Sequence, residues 1–251
     1  MLAPNPDIMT LDGTNTWVLR EPGSSRSVVV DPGPSIPSHL DAVASYAGDV
    51  GQVLLTHGHL DHSEAARSFA ERMGCGVRAL DPRQRFGDEG LGDGDVVELD
   101  GLEIRVVSTP GHTSDSLSFV LPAERAVLTG DTVLGRGTTV VAHPDGQLGA
   151  YLGSLRRLHA LAEAHEIDAV WPGHGPVLDD ALAVLDGYLA HRRQRLEQVR
   201  EALRTLADQP LTEDELPRAV VESVYADVDP VLWGAAELSV RAQIEYLRAT
   251  R

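Results

Sequence analysis

The chain has 251 residues, 42% hydrophobic and only 4% aromatic, so Leu, Val and Ala must fill the core of one large domain or of a large domain with a small appendage. A single cysteine, Cys75, excludes an intrachain disulfide and a cysteine-rich zinc site, and suits a reducing compartment. The net charge is −17 and all 21 basic residues are arginine, which excludes lysine Schiff-base chemistry and a P-loop lysine and weakens any broad affinity for nucleic acid.

Residues 1–10 carry neither a basic start nor an apolar run of signal length, and nothing approaches the ~18 apolar residues of a membrane span. The expected setting is therefore cytoplasmic, with no membrane partner. Short apolar runs punctuated by Gly, Pro and Asp predict strands over 16–20, 27–30, 53–55, 77–80, 96–99 and 102–107. A helix is expected over 63–73, with Ser63 as its N-cap. Strands over 117–121 and 126–128 follow, then an amphipathic helix over 147–165 and a strand over 168–171. From about residue 181 the pattern changes. Leu182, Leu185, Leu189, Leu196, Val199, Leu203 and Leu206 recur at helical steps, with one gap at Arg192, which predicts one long helix or two broken near that residue. Thr212-Glu213-Asp214-Glu215 reads as a capping box opening another helix, and 231–247 as a third. The expected organisation is a strand-rich body over 1–180 and an all-helical unit over 181–251.

The chemistry lies in the turns. His57-Gly58-His59-Leu60-Asp61-His62 follows the apolar run 53–55 and packs four ligand-type side chains into six residues. His57 and His59 can converge on one ion, Asp61 and His62 on a second. Three later turns repeat one design, a strand, a tight Gly turn and one ligand: Thr109-Pro110-Gly111-His112, Thr129-Gly130-Asp131 and Pro172-Gly173-His174. Gly permits the sharp turn and the close approach of backbone to an ion. Imidazole and carboxylate without thiolate suit Zn2+, and also accept Mn2+ or Fe2+. Seven ligands shared between two ions leave coordination positions open, which indicates catalysis by a metal-bound hydroxide rather than structural support.

This ordered set resembles the metallo-β-lactamase superfamily, and the resemblance spans residues 12–178. It implies an α/β fold, the αββα four-layer sandwich, and two zinc ions per chain. It also implies site one at His57, His59 and His112, site two at Asp61, His62 and His174, and Asp131 bridging them. Asp61 resembles the family carboxylate that orients water and shuttles protons. Leu11-Asp12-Gly13-Thr14-Asn15-Thr16-Trp17, Gly130-Asp131-Thr132-Val133-Leu134-Gly135 and Thr138-Thr139-Val140 are similar to the lactamase-beta-two-like subgroup, whose members carry a winged-helix-type C-terminal domain. That subgroup's animal representative is a zinc-dependent endoribonuclease acting on single-stranded RNA. Here the chain stops at Arg251, so the wing is expected to be missing.

Other side chains take plainer readings. Asn15 and Thr16 face the pocket as polar contacts or simply form a turn entering a strand. Arg192, Arg193, Arg195, Arg200 and Arg204 read as a solvated helix face partnered by Glu197 and Glu201 rather than a phosphate track. His159 and His165 are expected at the surface, and the Trp171 indole under the His174 loop. The function expected is a binuclear zinc hydrolase, read by the subgroup resemblance as an endoribonuclease cleaving single-stranded RNA. The alternative is an ester, thioester or lactone hydrolase of a small metabolite, similar to glyoxalase II; a non-catalytic binding module, from another class, is disfavoured by the intact ligand set. Sequence leaves the oligomeric state open.

Overall fold

The structure, a computed structural model, describes residues 1–87, 89–226 and 228–250. Arg251, after which a wing would follow, lies outside the described residues. The first sheet holds β1 (Trp17–Leu19), β2 (Arg26–Val30), β3 (Asp49–Leu54) and β4 (Gly76–Arg78) in that order. β2 and β3 run parallel, as do β3 and β4, and parallel neighbours need crossovers. Helix α1 (Pro37–Ala47) supplies the first crossover. The short turn α2 (Leu60–Ser63) and α3 (Ala66–Met73) supply the second. The period of two along β2 sorts its side chains: Val28 and Val30 face the second sheet, while Val29 packs against Val43 of α1 and Phe69 of α3.

The second sheet contains β5 (Val96–Leu99), β6 (Leu102–Ser108), β7 (Leu117–Leu121), β8 (Ala126–Gly130), β9 (Ala169–Pro172) and β10 (Leu178–Asp179), ordered β10-β9-β8-β7-β6-β5. Between the sheets lie Leu54, Ile104, Leu117, Phe119 and Leu128, each at most 1% exposed. On the outer face of the second sheet lie α4 (Leu148–Glu163) and α5 (Ala181–Thr205), and α6 (Leu216–Val224) and α7 (Trp233–Ala249) pack on those helices. Helices, sheet, sheet and helices make the expected αββα sandwich. Among the described residues no helix is long and apolar enough to cross a membrane.

Several local expectations shift. Ser63 does not cap a helix. Its hydroxyl donates to Gly58 O at 3.0 Å, and the helical turn begins earlier, at Leu60, so Asp61 and His62 sit inside a turn of helix. β4 ends at Arg78 rather than at residue 80. The edge strand β10 and helix α1 have no counterpart in the sequence reading. Helix α5 continues unbroken through Arg192, because that side chain is buried at 6% exposure, with its guanidinium 4.8 Å from the Tyr151 ring centroid. The gap in the leucine pattern is thus a buried position filled by an arginine, not an exposed face. Arg200 and Arg204, in contrast, pair with Glu197 and Glu201 as expected. The capping box forms, with Thr212 N donating to Glu215 Oε2 at 2.9 Å and Glu215 N to Thr212 Oγ1 at 3.3 Å. Residues 181–250 hold no strand among those described.

Candidate metal centre

The ligand turns meet because their strands end at one edge. β8 and β9 are parallel, and β6 runs in the same sense as β8 because both are antiparallel to β7. His112, Asp131 and His174 therefore leave the second sheet on the same side. The segment after β3 delivers His57 to that edge from the first sheet, with Leu117 N donating to Thr56 O at 2.8 Å where the sheets meet. Gly173 illustrates why the turns need glycine. A Cβ there would lie 2.6 Å from Asp131 Oδ1 and 2.7 Å from His62 Cε1. At Gly111 the φ of 135° and a Cβ position 2.3 Å from the Tyr151 backbone exclude a side chain on both counts.

All seven sequence-predicted ligands converge. One group joins His57, His59, His112 and Asp131, another Asp61, His62 and His174. Within each group one donor atom per residue lies within 4.8 Å of the others. His59 Nδ1 is 3.1 Å from both His57 Nε2 and His112 Nε2, and the Nε2 atoms of His62 and His174 are 3.2 Å apart. Asp131 spans the groups, with Oδ1 3.4 Å from His62 Nε2 and Oδ2 3.3 Å from His174 Nε2 and 3.7 Å from His112 Nε2. Asp61 Oδ2 lies 3.2 and 3.1 Å from the inward nitrogens of His62 and His174. His57, His62 and His174 are at most 2% exposed. His59 is exposed and Asp61 half-buried, so the cluster opens to solvent on their side.

Each buried imidazole is oriented from behind. His112 Nδ1 donates to Val140 O at 2.8 Å and His174 Nδ1 to Gly13 O at 3.1 Å. His62 Nδ1 meets Asp31 Oδ2 at 2.8 Å. The Thr56 hydroxyl donates to Asp31 Oδ2 at 2.6 Å, leaving its lone pair to accept from His57 Nδ1 at 3.1 Å. These partners hold each Nδ1 from behind, so that every Nε2 faces inward.

Two observations test the set against a metal. Asp131 Oδ1 is buried without a hydrogen-bond partner, an arrangement that is expensive unless a cation meets it. The inward nitrogens, 3.1–3.2 Å apart, sit close to the roughly 3.4 Å expected between two ligands on one tetrahedral ion with bonds of about 2.0–2.1 Å. The residues fit divalent ions.

Protonation differs between the groups. Burial pushes His57 well below the ordinary histidine range and lowers His112. Burial also opposes a charge on His62, but the carboxylates of Asp131 and Asp31 outweigh it and hold His62 well above that range. His174, likewise opposed by burial, is raised to about 9 by its hydrogen bonds to Asp131 and Asp61. Against its own burial, Asp61 is held below the usual carboxylate range by the hydrogen bonds of His174 and His62.

Against this geometry, a family model for the metallo-beta-lactamase superfamily matches residues 9–211. The chain belongs to that superfamily. It is 32% identical over 245 residues to a beta-lactamase-like protein 2 homolog of Caenorhabditis elegans, covering 90% of this chain and 76% of the relative. It is 34% identical over 248 residues to an atrochrysone carboxyl ACP thioesterase of Aspergillus fumigatus, covering 91% of this chain and 74% of that one. A beta-lactamase domain protein from Burkholderia ambifaria superposes with a TM-score of 0.81 over 100% of this chain and 85% of its own, at 23% identity, a likeness in fold.

Two residues that matter here escape the sequence reading. Asp31 is 1% exposed, adopts φ 51°, and ties the His62 ring to Thr56. Its signal was present: Val28-Val29-Val30-Asp31-Pro32-Gly33 has the same strand-then-turn form as the ligand turns. Thr14 donates to Asp61 Oδ2 at 3.2 Å. Asn15 proves to be a strut, its amide donating to Pro172 O and Gly175 O at 3.0 and 2.9 Å. Thr16 is buried and bonds His39 Nε2 at 2.9 Å. Trp171 stacks on Trp17 with centroids 5.0 Å apart, and the Trp17 indole donates to Pro172 O, so the aromatic pair underpins the His174 loop.

Proposed function

We propose that the chain is a metal-dependent hydrolase of esters or thioesters of small acids, with two zinc ions as its resident metal. The observation that carries this reading is a cavity of about 340 Å3 that opens on His112 and Asp131. Its walls are apolar: Ile8, Met9 and Leu11 come from the chain start, and Val228, Leu232 and Ala236 from the end of the chain, between α6 and α7 and on α7. This volume lies at the lower end of small-molecule sites, about 300–1,000 Å3. It suits an acyl group held beside the ligand cluster. Support also comes from the Aspergillus fumigatus relative, a thioesterase by name.

Bound ions would supply Lewis acidity and lower the pKa of a water to about 7. The chain's own residues do the rest. His57, His59 and His112 would hold one ion and Asp61, His62 and His174 the other, with Asp131 available to either. Asp61, kept ionised by its histidine neighbours, orients the attacking water, whose proton passes to the leaving group. The water oxygen bonds to the acyl carbon, the C–S or C–O bond breaks, and the thiol or alcohol leaves with a proton. The apolar walls exclude bulk water from the acyl side.

Cleavage of single-stranded RNA finds less support. The net charge is −17, and Arg200, Arg204, Arg218 and Arg248 on the C-terminal helices are each paired with a glutamate, which takes those four out of any track along a phosphate backbone. The test is a panel of thioesters, esters and lactones assayed beside labelled single-stranded RNA, all with zinc-loaded protein. Thioester or ester turnover that disappears in His59→Ala is the expected result. RNA cleavage that disappears in His59→Ala, with the panel untouched, overturns the reading. Metal analysis should return close to two ions per chain.

A further inference from the structure

The cavity has a second chemical character besides its apolar walls. Among its described lining residues are three arginines, Arg136, Arg192 and Arg195, and a single carboxylate, the ligand Asp131. In a chain of net charge −17 that is a local reversal of sign. Arg136 is neutralised by Asp12. Arg192 and Arg195 have no carboxylate within ion-pair distance among the described residues. Arg192 is 6% exposed. It donates through Nη2 to Thr139 O and lies over the Tyr151 ring, and its Nε is buried without a partner. Arg195, half-buried, donates through Nη1 to Gln198 Oε1 at 3.1 Å and Val224 O at 3.3 Å, with its guanidinium 4.8 Å from the Tyr225 ring centroid. Tyr225 is itself a wall of the cavity.

A buried guanidinium without a counter-ion is costly, and hydrogen bonds to neutral carbonyls offset only part of that cost. The positive field is visible on a neighbour: burial first, and then the charges of Arg192 and Arg195, lower the His191 imidazole, which lines the same cavity. Arg192 is also tied to the segment that carries the ligand Asp131. Thr139, which accepts from Arg192, donates through its hydroxyl to Asp131 O at 2.8 Å.

We infer that Arg192 and Arg195 form an anion subsite in this cavity, and that the substrate is an ester or thioester whose apolar acyl body carries a second, negatively charged group, a carboxylate, at its far end. The reacting end of this inference rests on the ester or thioester reading above; the anion subsite does not. Guanidinium suits a carboxylate because its planar donors match the two oxygens. Here the aromatic faces of Tyr151 and Tyr225 hold the two groups in place. Such a substrate has its carbonyl beside the ligand cluster and its charge on the arginines, with the hydrocarbon between them against Leu11 and Leu232.

The experiment measures binding first. Zinc-loaded protein is titrated calorimetrically with linear dicarboxylic acids of increasing length and with the monocarboxylic acid of each length. One carboxylate of either kind can sit at the metal ligands; only the diacid can also reach the arginines. The expected result is a preferred length at which the diacid binds about tenfold or more tightly than the monoacid, the scale of one charge-assisted hydrogen bond. Arg195→Gln should bring the diacid down to the affinity of the monoacid. Arg192→Gln should do the same if it folds, and Arg195→Gln, at a half-buried position, decides the matter if it does not. Equal affinities of diacid and monoacid at every length overturn the subsite, as does a preference that survives Arg195→Gln. A second arm offers the N-acetylcysteamine half-thioesters of the same diacids. Turnover of these, faster than of the methyl-ended thioesters, is expected. A diacid preference without any hydrolysis would sink the thioester reading and leave the subsite standing.

Discussion

The two ligand groups are built from the same residue types a few ångströms apart, yet they hold their protons oppositely. His57 and His112 are backed by a hydroxyl and a backbone carbonyl, and burial keeps them neutral. His62 and His174 face the carboxylates of Asp31, Asp61 and Asp131, which hold protons on them against burial. What stands behind an imidazole decides whether it waits for a metal empty-handed or must first release a proton. The first group is therefore ready to bind at neutral pH, and the second binds in competition with protons.

The largest effect should come from erasing the residue common to both groups. Asp131→Ala is expected to lower metal content below one ion per chain and hydrolysis by roughly 10²–10³-fold or more; full metal content by elemental analysis would break the picture of a shared carboxylate. Asp31→Asn separates the groups. It should weaken the second ion about 10–100-fold and spare the first, so that stepwise zinc titration shows one retained site. Equal weakening of both would show that the Asp31–Thr56–His57 chain matters as much as Asp31–His62.

The pH response gives a smaller, signed test. His62 and His174 are raised in the folded, metal-free chain, so their stabilising contribution is complete below their unfolded pKa of about 6.5 and is lost as pH rises through about 9, the value for His174. The melting temperature of metal-free protein should thus fall between those limits. Over the same window, affinity for the second ion should rise by up to about tenfold per pH unit for each proton displaced. A second-ion affinity flat with pH would remove the contrast between the groups. At the bottom of the scale, the exposed pair Arg67–Glu71 serves as a control: Glu71→Ala should change stability by less than about 0.5 kcal/mol and metal binding not at all.

The ligands were legible because their chemistry is local. A strand, a glycine turn and an imidazole announce themselves within a few residues, and their order carried the resemblance that implied the αββα fold. Asp31 was hidden although it stands in the same kind of turn, because a single carboxylate in Asp31-Pro32-Gly33 reads as ordinary turn chemistry until His62 is brought to it from 31 positions away. Arg192 misled for the opposite reason. A basic residue in a helix full of arginines and glutamates looks solvated, and only the approach of Tyr151 and Thr139 from distant segments buries it. Helix α1 lacked a strong signal because neither an acidic first turn nor a side-chain cap marks its start. The cavity could not be read at all, since its opposing walls come from residues 8–11 and from the chain's last thirty.

That origin of the walls has a consequence for how such a molecule can vary. Tyr188 on α5 accepts from Leu134 N at 2.8 Å and bonds Leu134 O at 3.2 Å, and Arg192 holds Thr139, so the C-terminal helices are fastened directly to the segment that follows Asp131. Replacing Leu232 or Ala236 reshapes the chamber while the seven metal-facing side chains, carried on strand ends elsewhere, stay in register. The wall from the final helices and the metal-facing side chains thus come from different parts of the chain, although Leu134 and residues 136–140 after Asp131 line the same chamber.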